Sequence, residues 1–142
     1  MRELASPIFE ELPPDKCRLL LGSRALGRVG VSIGALPAVL PVNYSIVGGR
    51  IVFRTAPGTK LEAATAGTVV AFEVDDYTSD RREGWSVMVR GISQEITDPD
   101  DLAAARALRL DSWALGEAAD RFVAIDTTLM TGRRVRRLPP TT

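Results

Sequence analysis

Apolar and polar residues alternate along most of the chain, as they do in strands that bury one face. Val29, Val31 and Ile33, for example, fall on one face of such a run. The alternation predicts six or seven short strands, over residues 26–33, 38–47, 50–55, 68–75, 85–96, 121–126 and 133–138. Pro41 lies inside the second of these runs and indicates an edge or a bulge there.

Helix signals interrupt this strand pattern at three places. Asp15, which follows two prolines, is expected to be the N-cap of a first helix. Residues 60–66 predict a second short helix, and Asp98 followed by Pro99 predicts the start of a third. Gly132 is expected to form a turn between the last two strands. Short strands joined mostly by turns favour a mostly β protein, an antiparallel barrel or sandwich with a few helices.

The composition is that of an ordinary globular protein. The chain has 142 residues, of which 45% are hydrophobic, and this predicts a single domain over residues 1–142. Residues 1–12 precede the first helix signal and are a candidate N-terminal extension. The 18 basic and 18 acidic side chains cancel, so nothing draws the whole chain to nucleic acid or to an anionic membrane. No apolar run reaches the ~18 residues of a membrane span.

The numbers of cysteines and histidines exclude several kinds of cross-link, catalytic site and metal site. Cys17 is the single cysteine, so no internal disulfide can form, and a reducing cytoplasm is the expected location. We interpret Cys17 as a small apolar residue on the first helix. The chain contains no histidine, which excludes Ser-His-Asp and Cys-His catalysis, His-rich zinc sites and haem ligation by histidine. No metal site is expected, and the sequence indicates no catalytic residue.

The strand–loop–helix stretch over residues 53–61 carries a cluster of side chains suited to phosphate. Arg54 can offer two parallel hydrogen bonds and Lys60 a point charge, while Thr55 and Thr59 add hydroxyl donors. Backbone N–H groups at a helix start also attract anions. The alternative interpretation is an exposed turn with solvated charges, and the residues alone do not separate the two.

Two further stretches place polar and aromatic groups where they could meet a planar ligand. Trp85 and Ser86 open a long strand directly after a polar loop, so the indole could pack on a ring and the hydroxyl could donate to it. A core tryptophan is the alternative. Asn43 lies between Val42 and Tyr44 and could hydrogen-bond a heteroaromatic edge, or it could be an ordinary barrel residue.

Two groups of charged residues have simpler interpretations. Residues 133–137 include four arginines, which could touch phosphate or nucleic acid but are more typical of a charged edge strand. Glu73 and Asp75 fall on one strand face, yet nothing in the sequence marks a pocket beside them. We interpret these carboxylates as solvated.

The ordered set of motifs resembles one known family. The segments LGRVGVS, LPVNYSIVGGRIVFRTAPGTKLEAA, VAFEVDD and GWSVMVRG occur here in that order. Together they are similar to the pyridoxamine 5'-phosphate oxidase-like, flavin-binding split-barrel proteins, especially the short bacterial forms. The resemblance extends from about the first helix to the last arginine-rich strand, and it implies a six- to seven-stranded antiparallel split β-barrel.

The resemblance also implies a cofactor, an assembly and site residues. Members of this family are homodimers that bind flavin mononucleotide (FMN) in two grooves at the subunit interface. By resemblance, the flavin phosphate would be held by Arg54, Thr55, Thr59 and Lys60. Pro41, Val42 and Asn43 would lie along the flavin ring, and Trp85 and Ser86 would complete the site from the partner chain.

The resemblance therefore implies one of two functions. The first is a flavin-dependent oxidoreductase acting on an unknown small molecule, in which the cofactor supplies the redox chemistry. The alternative is a flavin or deazaflavin binding or carrier protein without turnover. The chain is shorter than a true pyridoxamine 5'-phosphate oxidase, and that activity is not expected.

Overall fold

The computed structural model describes residues 6–111 and 120–138, which form eight strands and three helices. In chain order the elements are β1 (Pro7–Glu11), α1 (Pro14–Leu21), β2 (Leu26–Ile33), β3 (Leu36–Val47), β4 (Arg50–Thr55), α2 (Lys60–Ala64), β5 (Thr68–Thr78), β6 (Glu83–Glu95), α3 (Pro99–Ala107), β7 (Arg121–Ile125) and β8 (Leu129–Arg137). With nine residues in the longest of them, none of these three helices could cross a membrane.

All strand pairs are antiparallel, and six strands close into a barrel in the order β6-β5-β2-β3-β4-β7. Strand β8 and then β1 extend the sheet from β6. The predicted split barrel with a few helices is therefore confirmed. The strand β6 produces the split, because one of its edges pairs with β8 over Gly84–Arg90 and with β7 over Ser93–Glu95.

The barrel interior holds the main hydrophobic core. Phe53, Phe72 and Val87 are fully buried there, and the rings of Tyr44 and Phe72 meet edge to face with their centroids 4.8 Å apart. The helix α1 closes one end of the barrel through Cys17, whose side chain is buried, so its predicted role as a small apolar residue is confirmed. Burial raises the pKa of the Cys17 thiol.

A second, smaller core lies outside the barrel wall. Val52 of β4 and Phe122 of β7 point away from the interior and pack with Ala105 of α3. The Asp98 side chain caps α3 as predicted, accepting a hydrogen bond from the Asp101 backbone N–H at 3.1 Å. The outward side of β4 and β7 is therefore covered by α3.

Several local predictions need correction. Asp15 is not the N-cap of α1: Pro13 holds that position, and Asp15 lies in the first turn. Gly132 is not in a turn but inside β8, opposite Val87, where a Cβ atom would meet the Cys17 sulfur at 2.4 Å. The strand β5 continues through part of the predicted polar loop to Thr78.

The N-terminal segment contributes a strand that the hydrophobic pattern did not indicate. Residues Pro7–Glu11 pair with Arg133–Arg137 of β8, so the arginine-rich run is covered on its free edge by β1. Residues 1–5 of the candidate extension lie outside the described residues. The prediction that Pro41 lies at an edge agrees with the structure. The pairing of β3 with β4 begins only at Tyr44, so Pro41 pairs with β2 alone.

Candidate functional site

The outward side of β3, β2, β5, β6 and β8 forms one continuous surface, which we call the outer face. Strand alternation and the registers place its side chains in rows. One row contains Pro41, Arg28, Glu73 and Met88, and the next contains Asn43, Leu26, Asp75, Ser86 and Arg133. This surface lies opposite the barrel core.

The outer face receives two of the three residues predicted to line the flavin ring. Pro41 and Asn43 are half-buried on it, and the Asn43 side-chain amide donates to the Ala25 carbonyl oxygen over 3.4 Å. Val42 points the opposite way and is buried in the barrel core. Of Val42, only the backbone is positioned to meet a ligand on this surface.

Adjacent positions in β6 separate the other predicted pair. Ser86 lies on the outer face, in the same row as Asn43 but three strands away, a distance of about 14 Å at ~4.8 Å per strand. Trp85 packs against the barrel core, and the Arg24 guanidinium lies 5.3 Å from the centre of its ring. Within one chain Ser86 therefore does not reach a ligand placed beside Asn43.

The predicted phosphate residues lie together at the end of β4 and the start of α2, with different surroundings. Arg54 donates to the Leu110 carbonyl oxygen at 2.8 Å, and its guanidinium lies 5.7 Å from the centre of the Phe122 ring. Thr55 is fully buried, and its hydroxyl has no hydrogen-bond partner among the described residues. A buried hydroxyl without a partner is uncommon in proteins.

The loop before α2 satisfies most of its own polar groups. The Gly58 N–H donates to the Glu62 carboxylate at 3.0 Å. Thr59 caps the helix, because its hydroxyl accepts from the Glu62 N–H at 3.2 Å and donates to the Ala56 carbonyl at 2.7 Å. Lys60 is exposed. A phosphate here would therefore be met by side-chain cations more than by free backbone N–H groups.

A carboxylate cluster on the outer face is the feature that the sequence interpretation missed. Arg28 lies 3.1 Å from the Glu73 carboxylate and 3.5 Å from that of Asp75. Burial raises the pKa of Glu73 to about 7, and a hydrogen bond and the negative charge of Asp75 add to the effect, while Arg28 opposes it. The shared face of Glu73 and Asp75 was visible in the alternation; the partial burial was not.

A cavity opens beside the outer row that contains Ser86. Its volume is about 800 Å³, within the roughly 300–1,000 Å³ of small-molecule sites. Phe9, Tyr77, Ser86 and Arg133 are among its lining residues, whereas the cluster from Arg54 to Lys60 is not. In the described parts of the chain, no group of three or more acidic or cysteine residues could hold a metal ion.

Comparisons with known proteins identify the family of this chain and its relatives. The sequence profile described as pyridoxamine 5'-phosphate oxidase matches residues 13–134. The uncharacterized protein Rv0080 of Mycobacterium tuberculosis (strain ATCC 25618 / H37Rv) is 42% identical over 130 residues, which cover 88% of this chain and 84% of that protein.

Two solved structures give the same picture. An FAD binding protein from Mycobacterium smegmatis has 35% identity and a TM-score of 0.75, and the match covers 89% of this chain and 98% of the other. A putative pyridoxamine 5'-phosphate oxidase from Corynebacterium glutamicum has 28% identity and a TM-score of 0.74, covering 93% and 96%.

Proposed function

The chain belongs to the pyridoxamine 5'-phosphate oxidase family, and from this membership we propose that it is a homodimeric flavin-dependent oxidoreductase acting on a small molecule. The observation that carries the proposal is the Mycobacterium smegmatis relative, an FAD binding protein at 35% identity over 89% of this chain. The shape and chemistry of the outer face support it.

The outer face favours a second copy of the chain as its cover. Val39, Val69 and Leu129 are all exposed there, each by more than 60%. Val69 also lies directly opposite Ile92, which is exposed too. Exposed apolar side chains side by side on one face are typical of an interface, and a pair of identical chains would bury them symmetrically. Such a pair would bring the partner's Ser86 toward Pro41 and Asn43, which one chain alone holds three strands apart.

The residues present fit a flavin nucleotide. Pro41 offers an apolar contact for a planar ring, and Asn43 offers an amide for its polar edge. Lys60 is an exposed cation at the loop, Arg54 lies at the end of β4, and the buried Thr55 hydroxyl is unsatisfied. In the proposed site Lys60 and Arg54 hold the phosphate, and Thr55 gains the hydrogen bond it otherwise lacks.

A bound flavin would supply the hydride or electron transfer. The chain's own residues then anchor the phosphate, orient the ring and exclude water, tasks that need no histidine. The protein partner in this proposal is a second copy of the chain, and no nucleic acid or membrane is involved. The single cysteine favours a reducing compartment, so we propose a cytoplasmic location.

The form of the cofactor is tested by releasing it. FMN is the cofactor expected from the sequence, and the Mycobacterium smegmatis relative binds FAD. Denaturing the purified protein and separating the released cofactor by chromatography distinguishes FMN, FAD and a deazaflavin. Anaerobic reduction followed by reoxidation with small-molecule acceptors separates an oxidoreductase from a carrier, which would hold cofactor without turnover.

Site variants test the phosphate assignment. Lys60→Ala should weaken flavin binding at least tenfold, because a charge-assisted contact of about 1.5–3 kcal/mol is lost. Arg81→Ala removes an exposed positive charge from the loop between β5 and β6 and is the control. Arg54→Ala should weaken binding too, but it also removes the bond to Leu110, so its stability must be measured beside its affinity. Equal flavin affinity in Lys60→Ala and Arg81→Ala would refute the assignment.

A further inference from the structure

Arg28, Glu73 and Asp75 form a compact charged cluster in the middle of the outer face. A single guanidinium nitrogen of Arg28 lies 3.1 Å from a Glu73 oxygen and 3.5 Å from an Asp75 oxygen. One cation therefore faces two carboxyl groups. If both were ionised, the cluster would carry a net charge of −1 on a partly buried surface, which is unfavourable. A proton retained by one carboxyl group removes that excess.

Glu73 is the carboxyl group that retains the proton. Its side chain is 35% exposed and that of Asp75 41%, and burial is the largest cause of its raised pKa of about 7. Hydrogen bonding to Asp75 then favours the protonated form of Glu73, because two carboxylates cannot share a bond without a hydrogen. The Arg28 charge keeps the ionised form accessible, so both states of Glu73 exist near neutral pH.

The other neighbours of Glu73 do not alter this balance. Opposite it on β6 lies Met88, which has no charge. Ser86 and Arg90 occupy the flanking outward positions of β6, and Pro41 on β3 lies opposite Arg28. Among the charged groups in the described part of the chain, Arg28 and Asp75 are the ones that act on the Glu73 carboxyl group.

A small groove leads away from the cluster toward β3. Its volume is about 250 Å³, and Val39 and Ala71 contribute apolar surface on either side of Gly30. Gly30 opens the groove because it has no side chain; a Cβ atom there would lie 3.5 Å from the Ala71 Cβ. Glu73 itself lines the groove. Arg28 lies between Pro41 and Glu73 in their row, so a flat molecule seated in the groove beside β3 would meet apolar surface at Val39 and Ala71 and the Glu73 carboxyl group at the other end.

We infer that Glu73 is the proton-exchanging group of the proposed flavin site, with Arg28 and Asp75 as the residues that position and tune it. This inference rests on the proposed function. In the step, the O–H bond of Glu73 breaks and its electron pair remains on the carboxylate, which Arg28 stabilises. The proton joins a lone pair on a nitrogen or oxygen of the bound molecule, and the reverse step restores the acid. The group takes the place that histidine, absent from this chain, often fills.

The raised pKa of the Glu73 carboxyl group can be tested without flavin. In the purified full chain labelled with carbon-13, one glutamate carboxyl signal should titrate with a midpoint near 7, and it should disappear in Glu73→Gln. Asp75→Asn should lower that midpoint by about one pH unit, and Arg28→Gln should raise it by a similar amount. Arg81→Gln, the same charge change in the loop between β5 and β6, should leave it in place.

These outcomes decide whether Glu73 holds a proton near neutral pH and whether Arg28 and Asp75 tune its pKa. Opposite shifts in the two neighbouring variants support the cluster and would not arise from a merely structural role. Midpoints below about 5.5 for every glutamate, or an unchanged midpoint in both variants, would overturn it. The neighbouring variants keep the test decisive even if Glu73→Gln folds poorly.

Flavin binding decides whether Glu73 exchanges its proton with the bound molecule. Affinity of the wild type for FAD, whose diphosphate does not titrate in this range, should change between pH 5.5 and 8.5 with a single-proton midpoint near that of Glu73, and Glu73→Gln should bind FAD with a flat profile. A pH profile that is identical in the two proteins would overturn the exchange with ligand. If neither FMN nor FAD binds at any pH, the proposed function fails, and the carbon-13 titration still decides whether Glu73 stores a proton.

Discussion

The hydroxyl of Tyr44 in β3 donates a hydrogen bond to the carbonyl oxygen of Leu21 at the end of α1. The bond is buried, since Tyr44 is 3% exposed, and burial raises the pKa of Tyr44 to about 12, so the hydroxyl stays protonated. Leu21 is one of the last carbonyls of its helix and lacks a helical partner. This bond joins α1 to the barrel wall.

Tyr44→Phe should therefore destabilise the fold by about 1 kcal/mol, the typical net value of a buried hydrogen bond, because the Leu21 carbonyl loses its partner. Urea denaturation of the variant measures the loss. Tyr77→Phe removes a hydroxyl from a tyrosine that is 62% exposed and is the matched control, for which we expect no change. Equal stability of the two variants would show that the bond contributes nothing.

The contact of Gly132 with Cys17 gives a second stability prediction. Gly132→Ala should cost about 1–3 kcal/mol, because the new methyl group would overlap the buried Cys17 sulfur, 2.4 Å from the Cβ position. Gly30→Ala also adds a methyl group to a strand glycine but meets the Ala71 Cβ at an ordinary 3.5 Å, so it should be tolerated. In Gly132→Ala combined with Cys17→Ala, the loss should be smaller than the sum of the single losses. Strict additivity would contradict the overlap.

The raised pKa of Glu73 predicts a pH dependence of stability. Between its ordinary value of 4.5 and its folded value of about 7, the folded chain binds more protons than the unfolded chain. Glu73 should therefore destabilise the fold as the pH rises through this window. The effect should be about 1 kcal/mol, because the side chain is 35% exposed and water screens it. Denaturation midpoints of Glu73→Gln should lack this slope, and a slope equal to that of the wild type would contradict the assignment.

A pair of variants can test whether the dimer forms through the outer face and not through some other exposed apolar surface. Ile92 lies opposite Val69 on the outer face and is 51% exposed. Ile92→Lys should yield monomers in analytical ultracentrifugation and weaken flavin binding, because it would place a charge in the apolar surface that the proposed dimer buries. Leu19→Lys makes the same kind of change at a leucine of α1 that is 66% exposed, and it should leave the dimer intact. Dimers of equal strength in both variants would place the interface elsewhere.

The hydrophobic pattern was sufficient to predict the barrel strands, because each of these strands buries one face. Predicted strands 26–33 and 50–55 agree with β2 and β4 residue for residue. The strand β1 has only five residues, of which two, Ile8 and Glu10, are partly buried, and it pairs with residues of β8 more than 120 positions away in the sequence. Local periodicity carries no information on such a pairing.

The errors at Gly132 and Glu73 have a common physical cause. Glycine is typical of turns, but Gly132 is required by the close approach of Cys17 from a distant helix. A strand carboxylate is usually solvated, but Glu73 is partly buried by neighbouring strands and faces Asp75 and Arg28. The close approach at Gly132 and the partial burial of Glu73 both arise from tertiary packing. The alternation of residues along one strand shows only to which side of the sheet each side chain points.

The absorption spectrum of the purified protein, before and after addition of FMN or FAD and desalting, tests the central claim most directly. The account predicts that near-ultraviolet and blue flavin bands remain with the protein after desalting, at a stoichiometry of about one flavin per chain for two equivalent sites per dimer. A colourless protein that retains neither flavin would contradict the proposed function and leave the barrel without its cofactor.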